Sequence, residues 1–191
     1  MRTAVLAVAV VLALAGTAAT AATPATQRSV YTPFAADGSL RAGLRAVDRD
    51  GECFTSSLLV GRAGALRCIT GNRLRDPCFR EPDPSSPVVV ICAEDPWRQT
   101  VVRIRLAAQA PADGPAGHRS PWALELAGGA RCVLVGGATN IVRGYRLNYI
   151  CAANRFLWGS PRTSSPTWRI RQSRSADGRR MQLVAIRRAW R

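Results

Sequence analysis

Short stretches in which apolar and polar residues alternate run along most of this chain, and glycine, proline and acidic residues separate them. Residues 101–106 alternate valine, isoleucine and leucine with two arginines. Residues 122–126 alternate in the same way, and after two glycines the pattern returns at 131–135. A period of two residues is typical of a half-buried β-strand, and the paired stretches predict a β-hairpin.

The same alternation predicts about ten short strands, at spacings of about 8 to 15 residues. The stretches with this pattern are 44–53, 56–60, 65–70, 88–92, 101–106, 122–126, 131–135, 145–151, 156–158, 168–171 and 181–186. After the N-terminal 22 residues, no segment has the sustained 3.6-residue period of an amphipathic helix. The pattern predicts an all-β fold, an antiparallel barrel or sandwich in a single domain.

The N-terminus has the features of a secretory signal peptide over residues 1–22. Arg2 precedes an apolar run from Ala4 to Ala15, and small residues then offer an Ala-x-Ala cleavage site. The run is shorter than the roughly 20 residues that a membrane-spanning helix needs, so we expect cleavage and no transmembrane segment in the mature chain. Residues 23–43 are predicted to form a flexible arm, and 44–191 the folded domain.

Export determines how the cysteines are interpreted, because an oxidising compartment favours disulfides over metal-binding or nucleophilic thiols. Six cysteines allow 15 pairings, and we favour the sequential one because each pair then joins neighbouring strands across a short loop. Each closed loop removes roughly 3 kcal/mol of unfolded-chain entropy. The predicted disulfides are Cys53 with Cys68, Cys78 with Cys92, and Cys132 with Cys151.

The charge balance predicts anionic partners. All 27 basic residues are arginine, against 12 acidic residues, and the net charge is +15. A field of this strength attracts polyanions at long range when salt is low. We expect an anionic cell-envelope polymer or lipid surface as partner, a protein partner as an alternative, and nucleic acid only non-specifically, because no nucleic-acid reader motif is present.

The C-terminal quarter has the densest positive charge. From Arg162 onward nine arginines accompany a single acidic residue, Asp177. Guanidinium groups match phosphate and carboxylate oxygens in bidentate fashion, so this segment predicts an anion-binding face. A solubilising surface that discourages sheet-edge pairing is the alternative. The candidate anion-binding residues are Arg169, Arg171, Arg179, Arg180, Arg187 and Arg188.

Catalytic and metal chemistry have weak support. Nucleophilic catalysis needs a histidine between a nucleophile and a carboxylate, and the only histidine, His118, lies in a Pro/Gly-rich loop. One histidine and oxidised cysteines cannot form a usual zinc site. The acidic residues Asp48, Asp50 and Glu52 lack the remaining ligands of a calcium loop. We predict no catalytic residue, no metal and no cofactor.

Two alternatives to a protein that binds the cell envelope remain open. A small envelope hydrolase needs only two carboxyl groups flanking a cleft. The carboxylates of suitable type are Glu81, Asp83, Glu94, Asp95 and Glu125, the last placed on the wet side of its strand. The proline-rich loop 81–87 suggests instead an exported protein-binding or protease-inhibitor-like module.

The five tryptophans are predicted to be core anchors, with sugar stacking as the alternative; they are Trp97, Trp122, Trp158, Trp168 and Trp190.

An ordered set of short motifs runs through the chain. The motifs are Asp76-Pro77-Cys78-Phe79, a valine-rich strand to Cys92, Asp95-Pro96-Trp97, Pro121 to Ala127, Arg131-Cys132, Gly144 to Tyr149, Cys151 and Ala189-Trp190. Together they resemble a family of uncharacterised exported proteins of actinobacteria. The similarity covers roughly Cys53 to Trp190, and the ordered set is more specific than any single motif. The resemblance implies an exported, disulfide-containing protein and transfers no catalytic residue. The sequence therefore predicts a secreted, non-catalytic protein that binds at the cell envelope.

Overall fold

A computed structural model of the chain describes residues 23–82, 88–106, 111 and 120–191. The predicted signal peptide, His118 and most of the proline-rich loop 81–87 lie outside the described residues. Within the described chain every regular element is a strand, which confirms the all-β prediction. The described residues contain no helix of the length and apolarity that crossing a membrane requires.

Fourteen strands are present in the described residues, more than the ten or so predicted. In chain order they are β1 (Gln27–Ser29), β2 (Arg45–Asp48), β3 (Glu52–Ser56), β4 (Ala65–Thr70), β5 (Arg73–Arg80), β6 (Val88–Cys92), β7 (Thr100–Leu106), β8 (Ala123–Leu126), β9 (Arg131–Leu134), β10 (Ile141–Val142), β11 (Tyr145–Cys151), β12 (Arg155–Arg162), β13 (Arg169–Ser173) and β14 (Gln182–Trp190).

The C-terminal strands form a closed barrel. Six strands follow the order β14-β13-β12-β11-β9-β8, and pairing of β14 with β8 closes the ring. The first half of β14 pairs with β13 and the second half with β8, so one long strand makes the closure. The short strands β10 and β1 add to β11 and β14, the latter in parallel. Inward side chains such as Leu124, Leu157, Ile170 and Ile186 form the barrel core.

The N-terminal strands form a second sheet of six strands in the order β2-β7-β6-β5-β4-β3. Four of its five pairings are antiparallel, as the sequence predicted, and the pairing of β2 with β7 is parallel. Leu66, Val90 and Ile104 are fully buried on its inner side. The alternation predicted for 101–106 is confirmed there, with Arg105 exposed.

A third cluster of buried side chains joins the barrel to the second sheet. It contains Phe79 and Ile91 from the sheet and Trp190 from the barrel, with Tyr31 and Trp122 at 5.5 Å between ring centroids. Tyr31 belongs to segment 23–43, which was expected to be a flexible arm. The segment instead supplies strand β1 and core aromatics. Each aromatic fills space between the two sheets, and the local sequence gives no sign of that packing.

The three disulfides follow the predicted sequential pairing. Each joins residues directly opposite one another on neighbouring strands: Cys53–Cys68 links β3 to β4, Cys78–Cys92 links β5 to β6, and Cys132–Cys151 links β9 to β11. The sulfurs of Cys68, Cys78 and Cys92 lie within 4.8 Å of one another, but all three are oxidised and offer no thiolate to a metal. Three disulfides are compatible with an extracellular protein.

Two strand predictions need correction. The predicted strand 44–53 is two strands, β2 and β3, and residues 57–60 form a turn instead of a strand. That turn is held by Asp76, which accepts hydrogen bonds from Ser57 Oγ at 2.5 Å and Leu58 N at 3.0 Å. Strand β5 (Arg73–Arg80) was not among the predicted stretches, and it contains the cis peptide bond between Asp76 and Pro77. The strand continues through it.

Candidate functional site

A cleft of about 350 Å³ lies where the β13–β14 ladder ends and the strands separate into loop 174–181. We call it the β13–β14 cleft. Gln172 and Gln182 are the last directly paired residues of the ladder, and both line the cleft. Three arginines on the loop supply the charge. The full lining is Gln172, Ser173, Arg174, Ser175, Arg179, Arg180 and Gln182.

Gln172 forms the buried part of the cleft. It has the same strand parity as Ile170, which lies in the barrel core, and its side chain is directed to the inner side of the barrel wall. Only 5% of Gln172 is exposed, and its Nε2 has no hydrogen-bond partner among the described residues. A buried amide without a partner costs about 1–3 kcal/mol. A ligand acceptor in the cleft would satisfy it.

The hydrogen bonds of Ser173 are internal. Its Oγ accepts a hydrogen bond from Trp158 Nε1 at 2.8 Å and donates to the carbonyl of Ser175 at 2.7 Å. Trp158 is fully buried, so this chain anchors the start of the loop to the barrel core. The hydroxyl fixes the cleft wall, and the N–H groups of Gln172 and the arginines remain for a ligand.

Local packing holds the loop in place. Gly178 is at the left-handed φ of +68°, and a Cβ there would lie 2.7 Å from Met181 Cε and 3.0 Å from Val142 Cγ1. Asp177 accepts a hydrogen bond from the backbone N–H of Arg179 at 3.0 Å, and this bond is the main cause that lowers the pKa of the carboxyl below its ordinary value. The glycine and the aspartate thus set the conformation of the arginine-bearing turn.

The loop arginines differ in their partners. The Arg179 Nε lies 2.9 Å from Asp177 Oδ2, so that guanidinium is shared. Arg174 and Arg180 are exposed, and neither has an ion-pair partner among the described residues. The cleft therefore combines two unshared guanidiniums, one shared guanidinium and one buried amide donor. Such a set of donors is suited to an anion.

The six arginines predicted as an anion-binding face are divided by the structure. Arg179 and Arg180 line the cleft. Arg171 instead lies over the Tyr145 ring at 3.8 Å from its centroid. Arg188 donates to Gln27 Oε1 from both Nε and Nη2, at 3.0 and 2.7 Å, and Arg187 is paired with the buried Glu125. Arg169 is exposed at the opposite end of β13.

A second arginine-rich region surrounds Glu94, just after β6. Its carboxylate contacts Arg73, Arg75 and Arg98, with Arg75 Nη1 at 2.9 Å and Arg98 Nη1 at 2.7 Å. We call these four residues the Glu94 cluster. It lines two adjoining clefts of about 260 and 200 Å³. The carboxylate occupies the position that an external anion would otherwise take.

The larger of these clefts also contains Asp76, so two carboxyl groups share one cleft, as a hydrolase requires. Burial raises the pKa of Asp76 above its ordinary value, although the hydrogen bond from Ser57 lowers it in part. Both Asp76 oxygens, however, accept hydrogen bonds from the turn 57–60, and Glu94 is bound by arginines. Both carboxyl groups therefore form hydrogen bonds with other residues of the protein that stabilise its structure.

The other carboxylates considered for hydrolysis either have hydrogen-bond or ion-pair partners within the protein or lie apart from this cleft. Glu125, predicted on the wet side of its strand, is only 6% exposed, because Arg187 covers it on the outer side of the barrel. Asp95 accepts hydrogen bonds from the backbone N–H groups of Trp97 and Arg98 at 2.9 and 2.8 Å. Glu81 lines a different cleft, and residue 83 lies outside the described part.

Four of the five tryptophans are buried, as predicted for core anchors: Trp122, Trp158, Trp168 and Trp190. Trp97 is half-buried between Trp190, whose ring centroid is 4.8 Å away, and the guanidinium of Arg131 at 5.4 Å. The five rings therefore do not form an open sugar-stacking face. Asp48, considered for calcium, is bound by Arg103 at 2.6 Å and Arg105 at 3.1 Å.

Sequence reasoning missed Gln172, although the signal for it is present. Residues 168–172 alternate Trp168 and Ile170 on one side with arginines on the other, so residue 172 takes an inward position. A polar residue at an inward position needs a hydrogen-bond partner, so the alternation already marks Gln172 as a residue with an unusual requirement. Comparison of the chain with family models, curated proteins and solved structures gave no match.

Proposed function

We propose that this chain is a secreted, non-catalytic protein that binds an anionic polymer of the cell envelope through the β13–β14 cleft. The observation that carries the proposal is the buried, unpartnered Nε2 of Gln172 at the base of a cleft lined by three arginines. Buried polar groups are nearly always satisfied, and this donor belongs to a residue that lines the cleft, so we infer that a ligand acceptor reaches it. The mouth of a barrel is also a common place for a binding site.

The charge of the whole protein supports the same function. The net charge is +15, and the long-range field brings polyanions to the surface before any specific contact forms. The long-range field gives attraction without selectivity. The cleft adds charge-assisted hydrogen bonds at one place, and these are the contacts that physiological salt weakens least. We assign export to the predicted signal peptide, with the three disulfides formed in the oxidising compartment.

The experiment compares two double variants of the oxidised mature protein. Arg174→Ala/Arg180→Ala removes two cleft guanidiniums, and Arg162→Ala/Arg169→Ala removes the same charge from exposed residues at the opposite end of the β12–β13 ladder. Binding to isolated cell envelope is measured across a salt series with DNA as competitor. Envelope turnover is followed in parallel.

We expect the wild-type protein to bind at physiological salt and to resist competition by DNA. The cleft variant should bind about a hundredfold more weakly, about tenfold for each lost charge-assisted contact, while the control variant stays within about threefold. Equal losses in both variants would mean generic polyanion attraction and would refute a specific cleft. Release of soluble envelope fragments would refute the non-catalytic assignment and favour the hydrolase alternative.

A further inference from the structure

The donors and acceptors of the β13–β14 cleft specify its ligand more closely. Gln172 offers two amide N–H groups, and each guanidinium carries five N–H donors. The Ser173 hydroxyl is already used as both donor and acceptor within the protein. The cleft therefore presents many donors and few free acceptors, and a matching group must carry several acceptor oxygens and a high negative charge.

Charge distinguishes among the common anions. The lining carries Arg174, Arg179 and Arg180, and the nearest carboxylate, Asp177, offsets part of one of them. A carboxylate or an in-chain phosphodiester carries a single negative charge and two charged oxygens. A phosphomonoester carries about −1.5 to −2 at pH 7 and three acceptor oxygens. Two unshared guanidiniums and a buried amide match the monoester best.

The size and lining of the cleft describe the rest of the ligand. Its volume of about 350 Å³ lies at the lower end of the range for small-molecule sites, roughly 300–1,000 Å³, and leaves space beside a phosphate for a small attached group. None of the described residues that line the cleft is aromatic, so a nucleobase would have no aromatic ring to stack on. Ser175 and Gln182 instead offer polar contacts of the kind that hydroxyl groups make.

From these observations we propose that the β13–β14 cleft recognises a phosphomonoester on a sugar or polyol. The proposal rests on the proposed anion-binding function and narrows its ligand. The same chemistry occurs at the phosphorylated end of an envelope polymer and in a free sugar phosphate. Recognition of a chain end differs from binding along a polyphosphate chain, because only the terminal group presents three charged oxygens.

Binding is measured by calorimetry on the oxidised mature protein, with glucose 6-phosphate and glycerol 3-phosphate as monoesters, dimethyl phosphate as a diester and gluconate as a carboxylate. We expect the monoesters to bind about tenfold more tightly than the diester or the carboxylate, since one further charge-assisted contact is worth about that factor. Equal affinities for monoester and diester, with the cleft variant still defective for envelope, would overturn this inference and leave the proposed function standing.

The pH profile gives an independent readout. The second ionisation of a phosphomonoester has a pKa near 6, so monoester binding should tighten severalfold between about pH 5 and 7.5. Asp177 beside the cleft stays ionised in this range, because its pKa is lowered, chiefly by the hydrogen bond from the backbone N–H of Arg179. Glucose 6-sulfate is the matched control, since it keeps three oxygens but does not titrate. A parallel rise for the sulfate would assign the effect to the protein and refute the monoester.

Gln172→Met separates a binding role from a structural one. The methionine keeps the length of the side chain and removes the unsatisfied amide, so the folded protein should become more stable while monoester affinity falls about tenfold. A variant that loses stability and keeps its affinity would contradict the assigned role of Gln172. Phosphatase treatment of the envelope then identifies the source. If envelope binding is lost, the monoester lies at the ends of the envelope polymer. If envelope binding is unchanged and the protein still binds glucose 6-phosphate, the ligand of the cleft is a free sugar phosphate.

Discussion

Two arginine-rich regions in the described part of the chain differ in whether a carboxylate of the same chain lies at their centre. In the Glu94 cluster three guanidiniums converge on one carboxylate of the same chain. In the β13–β14 cleft the lining arginines surround a neutral, buried glutamine. Composition alone does not distinguish these regions, since both are rich in arginine. The difference lies in whether the fold supplies the anion.

The difference shows why a count of arginines is a poor guide to function in this protein. Of the six arginines predicted to bind anions, four have partners within the fold: Arg171, Arg179, Arg187 and Arg188. A guanidinium that already lies on a ring or beside a carboxylate has fewer donors to offer. The residue on which our proposal depends is the neutral one, Gln172, because it combines a buried amide without a partner with a place in the lining of a cleft.

The strongest test of this comparison introduces a carboxylate into the cleft. Gln172→Glu would place a negative charge beside Arg174 and Arg180, in the manner of the Glu94 cluster. We expect phosphomonoester binding to fall at least about a hundredfold, because the new group both occupies the guanidiniums and repels the anion. Calorimetry with glucose 6-phosphate measures the loss. Gln99→Glu, at an exposed residue that does not line the cleft, adds the same charge elsewhere; it is the control and should lose much less.

If the Gln172→Glu variant keeps its affinity for the phosphomonoester, the ligand binds elsewhere. The unpartnered amide of Gln172 would then have no role in binding.

The second test concerns the carboxylate that shares a cleft with Glu94. Asp76→Ala leaves the Ser57 hydroxyl and the Leu58 N–H without their acceptor, so the free energy of unfolding should fall by about 2 kcal/mol. Denaturant unfolding measures it. Asp37→Ala is the matched control, because Asp37 makes similar hydrogen bonds to Ser39 but is exposed, and its removal should cost less.

Monoester affinity should not change in the Asp76 variant. Equal stability of the two variants would mean that Asp76 is not needed for the turn, and its raised pKa would then favour a chemical role.

Much of the fold follows from local pattern. The hairpin of β8 and β9 and the pairing of all three disulfides were predicted, because each depends on strands that are close in sequence. The closure of the barrel by β14 and β8 was not, since it joins residues about 60 positions apart and no local signal specifies it. Likewise Tyr31 gave no sign of its burial, because the sheets it joins come later in the chain.

The site was only partly predictable. Alternation places Glu125 opposite Leu124 and Leu126, which is correct, but it cannot show that Arg187 covers the outer side. Arginines at positions 179 and 180 were predicted as anion ligands, and they do line the cleft. Which guanidiniums remain available depends on partners from distant strands. The inward position of Gln172 was readable from the sequence, and the lack of a partner required the structure.

The smallest expected effect comes from removing the internal carboxylate. Glu94→Gln leaves Arg73, Arg75 and Arg98 around a neutral amide, which reproduces the charge pattern of the β13–β14 cleft. We expect a new anion site of modest strength, with affinity for inorganic phosphate about tenfold above that of the wild-type cluster, because the amide oxygen of the new glutamine still accepts hydrogen bonds from the arginines. The measurement is made in the Arg174→Ala/Arg180→Ala background, so that the cleft does not contribute.

Stability should change by less than about 1 kcal/mol, because two of the three arginines are largely exposed and solvent screens their ion pairs with Glu94. Glu52→Gln, on an exposed residue of β3, removes the same negative charge without freeing the cluster. If both variants gain phosphate binding equally, net charge alone accounts for the gain. A gain confined to Glu94→Gln would show that the two regions differ by the internal carboxylate, and that its absence is what leaves guanidiniums open to a ligand.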